Sequence, residues 1–349
     1  MHILRLEKIL PQGPDAVSLH FPQPKFGRIH YKPGQYLSLK LEIAGQFHFR
    51  SYSLSSAPRL DQELVVVVKR VPGGLVSNYI NDHFKPGQMV ETLEPGGHFF
   101  LETAIKYERH LTLFAAGSGI TPIFSMLRSV LYIEPRSKVS LVYANSQAEN
   151  IIFKAELDLL EERFPERCKV WHLLSQEKTA YSQERLSQEN FGHRWAEVLQ
   201  FGQLPEQVFL CGPPGFMDTV EKGLNDLNYP AEQRHKEAFV AEEEQKRIQE
   251  RDYSGPTRMV TVTMGEETWE FPVPAGMTIL NAALEQGLNL PHSCKRGICS
   301  SCMATLEQGQ VAIADEKNLL DFEREQQKIL MCQAMPLDDE VSVRPGFTF

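Results

Sequence analysis

Four cysteines, Cys294, Cys299, Cys302 and Cys332, stand in the spacing C-x4-C-x2-C-x29-C and restrict the C-terminal part of this chain more than any other feature. Three thiols within nine residues converge only if one loop wraps around what they hold, with backbone N–H groups turned toward sulfur. Gly297, inside that loop, offers a position without a side chain where the chain comes close to itself. Structural zinc usually takes two separate C-x2-C knuckles, and only one is present.

The four-residue gap instead matches the loop of a plant-type [2Fe–2S] centre. A Rieske centre needs two His ligands in place of two Cys; His292 precedes the loop with no matching Cys-His pair and reads as an ordinary loop histidine. The rest of the sequence agrees with metal rather than disulfide chemistry. The N-terminus meets charge before any apolar run reaches leader length, and no stretch can cross a bilayer, so the expectation is a soluble, cytoplasmic protein in which disulfides are improbable. A net charge of −9 and no basic tract argue against nucleic acid as the main partner.

At 349 residues the chain is too long for one ordinary core, and its texture changes along its length. Short β-type runs broken by Gly and Pro ("AVSLHFP", "QYLSLKLEI", "FRSYSLSS", "ELVVVVKRV", "MVETLEPGGHFFL") predict an antiparallel β-barrel or sandwich over 1–105. From 106 to 240, buried strand-like runs alternate with helix-period segments, which predicts an α/β domain with a parallel sheet and crossover helices. The charged stretch 241–256, closed by Gly-Pro, reads as a linker. The remainder, 257–349, opens with a hairpin, "RMVTVTMGEETWEFPV", and a helix, "TILNAALEQG", whose Ile279, Leu280, Ala283 and Leu284 share one face and whose Gly287 can end it. Seven Lys and Arg against thirteen Asp and Glu make this last segment the acidic end of the chain.

With "TILNAALEQGLNLPHSC" leading into the cysteine loop, residues 257–349 resemble a plant-type ferredoxin, which implies a β-grasp fold. A ferredoxin joined to two further domains needs an electron source. "RSYSLSS" places Arg50 and Tyr52 on one face of a strand with Ser53 beside them; Arg can neutralise phosphate, Tyr can stack on an aromatic ring, and Ser can hydrogen-bond its edge. Alone, such an Arg and Tyr are more often surface and core. In "KRVPGGLVSNYIND", Gly73 and Gly74 permit a tight turn and Ser77 is expected to open a short helix able to hold a diphosphate; alone it reads rather as a glycine turn with a Ser helix cap. "LFAAGSGITPIFSML" runs from a strand through Gly117 and Gly119 into a helix expected to be led by Pro122, without the full dinucleotide fingerprint. "FLCGPPGFM" ends another strand with Cys211, Gly212 and Pro213, where a lone Cys is usually just small and buried. Cys168 has no motif around it and reads as structural.

Taken in order, these stretches resemble the RxYS, GxxS, GxGxTP and CGP motifs of the ferredoxin–NADP reductase superfamily. Across almost the whole chain the resemblance is to three-domain oxygenase reductases, particularly the reductase component of the phenylacetyl-CoA epoxidase group, in the order flavin, NAD, ferredoxin. It implies Arg50, Ser51, Tyr52, Ser53, Lys69, Gly74, Val76 and Ser77 as flavin contacts, and Gly117, Gly119, Thr121, Pro122, Cys211, Gly212 and Pro213 as nucleotide contacts. Phe239 is implied as an aromatic packed on the flavin, and Ser53, Thr121, Cys211 and Glu237 as the residues at the reacting centre. It also implies FAD rather than the FMN of the related phthalate dioxygenase reductases, since "GGLVSNYI" resembles the FAD-type pyrophosphate motif.

The implied activity converts stoichiometry: NAD(P)H gives two electrons as hydride, an iron–sulfur cluster takes one, and a flavin stands between. Electrons then leave singly to a terminal oxygenase or another redox protein. Relatives that read a 2′-phosphate tend to have Arg at the places of Ser146 and Gln176, so NADH is expected over NADPH, with Lys154 and Lys178 the residues that could reverse this. Two other readings are a stand-alone reductase of a hybrid-cluster protein or other soluble acceptor, and a redox sensor without turnover; intact flavin and nucleotide motifs argue against the sensor.

Overall fold

The computed structural model describes residues 2–176, 185–239, 255–288, 290–292, 295, 297, 300–313, 319 and 321–346. The chain divides into two compact units, one of residues 1–37, 52–95 and 99–239 and the other of residues 38–51, 96–98 and 240–349.

The first hundred residues form β1 (His2–Arg5), β2 (Lys8–Pro11), β3 (Ala16–Pro22), β4 (Tyr36–Ile43), β5 (Gln46–Ser53), β6 (Glu63–Lys69), α1 (Leu75–His83) and β7 (Met89–Thr92). In the first unit β2, β3 and β6 make an antiparallel sheet and β1 pairs antiparallel with β7. An antiparallel bridge from Leu54 to Val66 ties the residue after β5 to β6. β4 and β5 are neighbouring strands of a sheet. The run expected as a strand through Leu101 stops at Thr92, because Pro95 lacks a ladder donor and Gly97 turns the chain at φ +105°.

The α/β region follows as β8 (His110–Ala116), α2 (Ile120–Ile133), β9 (Lys138–Asn145), α3 (Lys154–Arg163), β10 (Cys168–Leu174), α4 (Gln188–Gly202), β11 (Gln207–Gly212), α5 (Pro214–Asp226) and β12 (Arg234–Ala238). Its sheet has the order β10-β9-β8-β11-β12, and every pairing is parallel. β8 is buried at every position because helices cover both faces of the sheet. Leu111, Leu113 and Ala115 join the cluster with α2 and α3, while Phe114 joins Trp195, Val198 and Val220 of α4 and α5. Each fully buried Leu, Val or Phe here contributes roughly 1.5–3 kcal/mol. A 3-10 turn over Gly117–Gly119 precedes α2, so Pro122 is its third residue and does not lead it.

The second unit contributes β13 (Arg258–Met264), β14 (Glu267–Val273), α6 (Ile279–Glu285), β15 (Met303–Gln308), β16 (Val311–Ile313), α7 (Asp321–Glu325), β17 (Lys328–Leu330), β18 (Ala334–Pro336) and β19 (Glu340–Pro345). Five strands form a mixed sheet, β14-β13-β19-β15-β17, in which only β13 and β19 run parallel. Thr278 caps α6 by accepting from the Asn281 N–H, Ile279, Leu280 and Ala283 face the core, and Gly287 follows at φ +78°, as the pattern predicts. Of the expected 241–256 linker, only Gly255 and Pro256 are among the described residues. No helix among the described residues is long and apolar enough to cross a membrane.

Candidate redox site

The cysteine loop is built backbone-first. Cys294 and Cys299 lie outside the described residues, whereas Cys302 and Cys332 are described and buried. The Gly297 N–H donates to Cys332 Sγ at 3.1 Å. Gly297 has φ +75°, and a Cβ there would stand 2.7 Å from the Gln333 side chain, so glycine is required both by conformation and by space. The Met331 N–H donates to the Cys302 carbonyl at 3.1 Å, so the segments carrying the second pair of cysteines are hydrogen-bonded to each other. An N–H aimed at sulfur stabilises thiolate, the form that ligates metal; the residues present fit a thiolate-bound iron–sulfur group.

In the same unit, the Ser51 hydroxyl of β5 lies 2.7 Å from that of Ser38 on β4 and 2.9 Å from that of Ser301, next to Cys302. His98 Nε2 lies 3.3 Å from the Glu323 carboxylate of α7. Neither Ser38 nor Ser301 carries a sequence motif; only the period-two alternation that points Ser51 away from Arg50 and Tyr52 hints at another role for its side chain.

Of the other residues implied as flavin contacts, Arg50 and Tyr52 are half-buried on β5, Ser53 is buried, and the Arg50 guanidinium donates to the Phe49 carbonyl at 2.9 Å. Past β6 the chain turns at Gly73, φ +70°, and α1 starts at Leu75, so Ser77 lies inside the first turn and does not open the helix. The Ser77 hydroxyl instead accepts from the Val71 N–H at 3.1 Å and closes the loop. A Cβ on Gly74 would stand 2.8 Å from that hydroxyl. Among the described residues no side chain caps α1, which leaves its first amides for another acceptor such as a phosphate, and Val76 is buried. Lys69 Nζ lies 3.4 Å from Asp15.

In the nucleotide region, Gly117 takes φ +54°, and a Cβ on Gly119 would stand 2.1 Å from the Cys211 carbonyl oxygen. Gly212 is less tight, with Ala116 Cβ at 2.9 Å and the Ala116 nitrogen at 3.3 Å. These glycines let the turn after β8 meet the end of β11 backbone to backbone. Thr121 donates its hydroxyl to the Ser118 carbonyl at 3.0 Å, and Pro213 precedes α5. Glu237, buried on β12, is in register with Cys211. Burial, with the Glu237 charge adding to it, pushes the Cys211 thiol well up, so it packs as a neutral group. Burial likewise pushes Cys168 up to about 12, in keeping with a structural role. Phe239 follows β12 and is 36% exposed. At the ends of β9 and β10, the Ser146 hydroxyl accepts from Asn150 Nδ2 at 2.6 Å and its carbonyl accepts from the Gln176 N–H at 3.0 Å. Lys154 is paired with Asp158, and Lys178 lies outside the described residues. A separate cavity of about 930 Å³, bordered among others by His20, Glu63, Arg128 and Arg163, is lined by none of the residues implied as flavin or nucleotide contacts.

Comparison with known proteins gives three family matches along the chain: "Oxidoreductase FAD-binding domain" over residues 4–101, "Oxidoreductase NAD-binding domain" over 113–222 and "2Fe-2S iron-sulfur cluster binding domain" over 262–337. The chain is 31% identical to a subunit of the 1,2-phenylacetyl-CoA epoxidase of Escherichia coli (strain K12), over 98% of this chain and 97% of that one. It is 32% identical to the "3-ketosteroid-9-alpha-monooxygenase, ferredoxin reductase component" of Rhodococcus rhodochrous, over 98% and 96%. In fold it is similar to the solved structure of phthalate dioxygenase reductase, with TM-score 0.61 and 23% identity over 98% of this chain and 97% of that one. The chain therefore belongs to the family of oxygenase reductase components that join an FAD domain, an NAD domain and a [2Fe–2S] ferredoxin domain.

Proposed function

We propose that this reductase takes hydride from NADH and delivers single electrons through the Cys294, Cys299, Cys302 and Cys332 cluster to an oxygenase comparable to the phenylacetyl-CoA epoxidase and ketosteroid monooxygenase of its relatives. The observation that carries it is the Gly297 N–H at 3.1 Å from Cys332 Sγ, a backbone donor built for a sulfur ligand in a chain that also has flavin and nucleotide domains. When bound, the flavin supplies the conversion from a two-electron donor to a one-electron acceptor.

The chain's own residues divide the work. The RxYS strand, with Arg50, Ser51, Tyr52 and Ser53, and the turn with Lys69, Gly74, Val76 and Ser77 would hold the flavin, Arg50 and the α1 amides facing its phosphates. Gly117, Gly119, Thr121, Pro122, Gly212 and Pro213 would hold the nicotinamide nucleotide, at two turns that meet backbone to backbone beside the neutral Cys211 thiol. Ser53, Thr121 and Glu237 are the polar groups that would orient the nucleotide. No side chain needs to act as a nucleophile. Phe239, partly exposed after β12, suits an aromatic cover over the flavin. The domain limits that go with this reading are 1–105 for FAD, 106–240 for NAD, 241–256 for the linker and 257–349 for the ferredoxin. NADH is favoured because Ser146 and Gln176 stand where an Arg would read a 2′-phosphate, and Lys154 is already committed to Asp158. The acidic last segment suits a partner with a basic docking patch in the cytoplasm.

Replacing Cys332 with Ala tests the reading. NADH-dependent reduction of cytochrome c should be lost while ferricyanide reduction, which can draw directly on flavin, is retained. Equal loss of both would show that the loop holds the fold together and carries no electrons.

A further inference from the structure

The cysteine loop is fixed to the strand of the RxYS motif through the hydroxyls of Ser38, Ser51 and Ser301. Ser301 sits between Ser300, at φ +56°, and Cys302, whose carbonyl is hydrogen-bonded to Met331 beside Cys332. Its hydroxyl is 2.9 Å from Ser51, and Ser51 is 2.7 Å from Ser38. A serine hydroxyl has one proton to give and can accept, so Ser51 can serve both neighbours at once. Ser38 and Ser301 are each 2% exposed, so the hydroxyl chain is shielded from water, where a hydrogen bond counts for more than at the surface. The contact is therefore worth keeping, and within one compact unit it joins Cys302 to the part of β5 that carries Arg50.

We infer that Ser301, acting through Ser51 and Ser38, is a positioning residue for electron transfer into the cluster: within the second unit the hydroxyl chain holds the cysteine loop against the Arg50 segment of β5. This rests on the proposed electron route. The step it governs is a one-electron transfer, in which flavin reduced by NAD(P)H loses one electron and one cluster iron goes from ferric to ferrous. Electronic coupling falls exponentially with separation, so a loop free to shift by a fraction of an ångström spends less time in the productive arrangement.

The test uses the full holoprotein with Ser301→Ala, Ser301→Thr and Ser38→Ala. Flavin-to-cluster transfer is followed anaerobically by stopped-flow after mixing with NADH, together with iron and flavin content, the EPR spectrum of the reduced cluster and ferricyanide reduction. Ser301→Ala should slow flavin-to-cluster transfer about fivefold, the factor by which losing one buried hydrogen bond shifts a two-state population. Iron content, EPR signal and ferricyanide reduction should stay as in the wild type; Ser301→Thr, which keeps the hydroxyl, should restore the rate, and Ser38→Ala should give a smaller slowing. An unchanged rate in both Ala variants would overturn the inference, as would slowing matched by loss of iron or a changed EPR signal, which would make Ser301 a support of the cluster itself. Failure of the electron route as a whole is distinguishable, because the wild-type cluster would then stay oxidised.

Discussion

Gly119 and Cys211 meet backbone to backbone: a Cβ on Gly119 would stand 2.1 Å from the Cys211 carbonyl oxygen and 2.9 Å from the Gly212 nitrogen. Backbone cannot rotate out of the way as a side-chain tip can, so one methyl group would force the turn after β8 away from the end of β11. These two loops carry the proposed nucleotide contacts, and packing and function are here the same constraint.

Gly119→Ala should therefore destabilise the protein by about 1–3 kcal/mol, the range for overpacking, and lower kcat/KM for NADH more than it lowers flavin content. Denaturant unfolding and steady-state kinetics with ferricyanide check this. A variant with wild-type stability and kinetics would mean that the turn has slack.

His172 gives the α/β region a defined response to acid. It is buried on β10, neither ring nitrogen has a hydrogen-bond partner among the described residues, and burial, aided by the Lys154 charge, pushes it down to about 4. Its pKa is lower folded than unfolded, so between about 6.5 and 4 the unfolded chain binds the extra proton and stability falls as pH falls. Above about pH 6.5 both states are neutral and the residue adds no pH dependence. The loss reaches up to ~3 kcal/mol near pH 4. His172→Leu should flatten that part of the stability profile, measured as urea midpoint against pH; an identical slope in the variant would assign the effect to other groups.

Coenzyme choice should turn on Ser146. Its hydroxyl now accepts from Asn150 at the end of β9, and no fixed guanidinium is placed there by the sequence. Ser146→Arg should shift the ratio of kcat/KM for NADPH over NADH upward by about tenfold, through a bidentate contact with the 2′-phosphate. A ratio that does not move would place the ribose elsewhere.

How much of the fold and site is legible in the sequence depends on how local each signal is. The parallel sheet, the hairpin from Arg258 to Val273 and the helix from Ile279 all follow from short-range periodicity and turn glycines, and the structure has them. The α4 helix escapes a sequence reading although Ser187 and Asn190 form a capping box and Phe191, Trp195 and Val198 recur at helical spacing, because Gly192 and Gly202 dilute the pattern. Neither Pro122 nor Ser77 opens its helix, since both residues suit several first-turn positions and the preceding Gly-rich turns set the true start. β12 is hidden because a short run such as "RHKEA" has almost no apolar signal; its place comes from pairing with β11. The Ser38–Ser51–Ser301 chain cannot be read from sequence at all, because its Ser51–Ser301 link spans 250 positions and rests on nothing more distinctive than serine hydroxyls.

The most direct test of the electron route is an anaerobic NADH titration of purified protein, with metal and acid-labile sulfide analysis, followed by optical and EPR spectroscopy. Expected are bound flavin, about two irons and two sulfides per chain, and a reduced-cluster EPR signal that rises as NADH is added. Zinc in place of iron, or flavin that bleaches with NADH while the cluster stays oxidised, would contradict it.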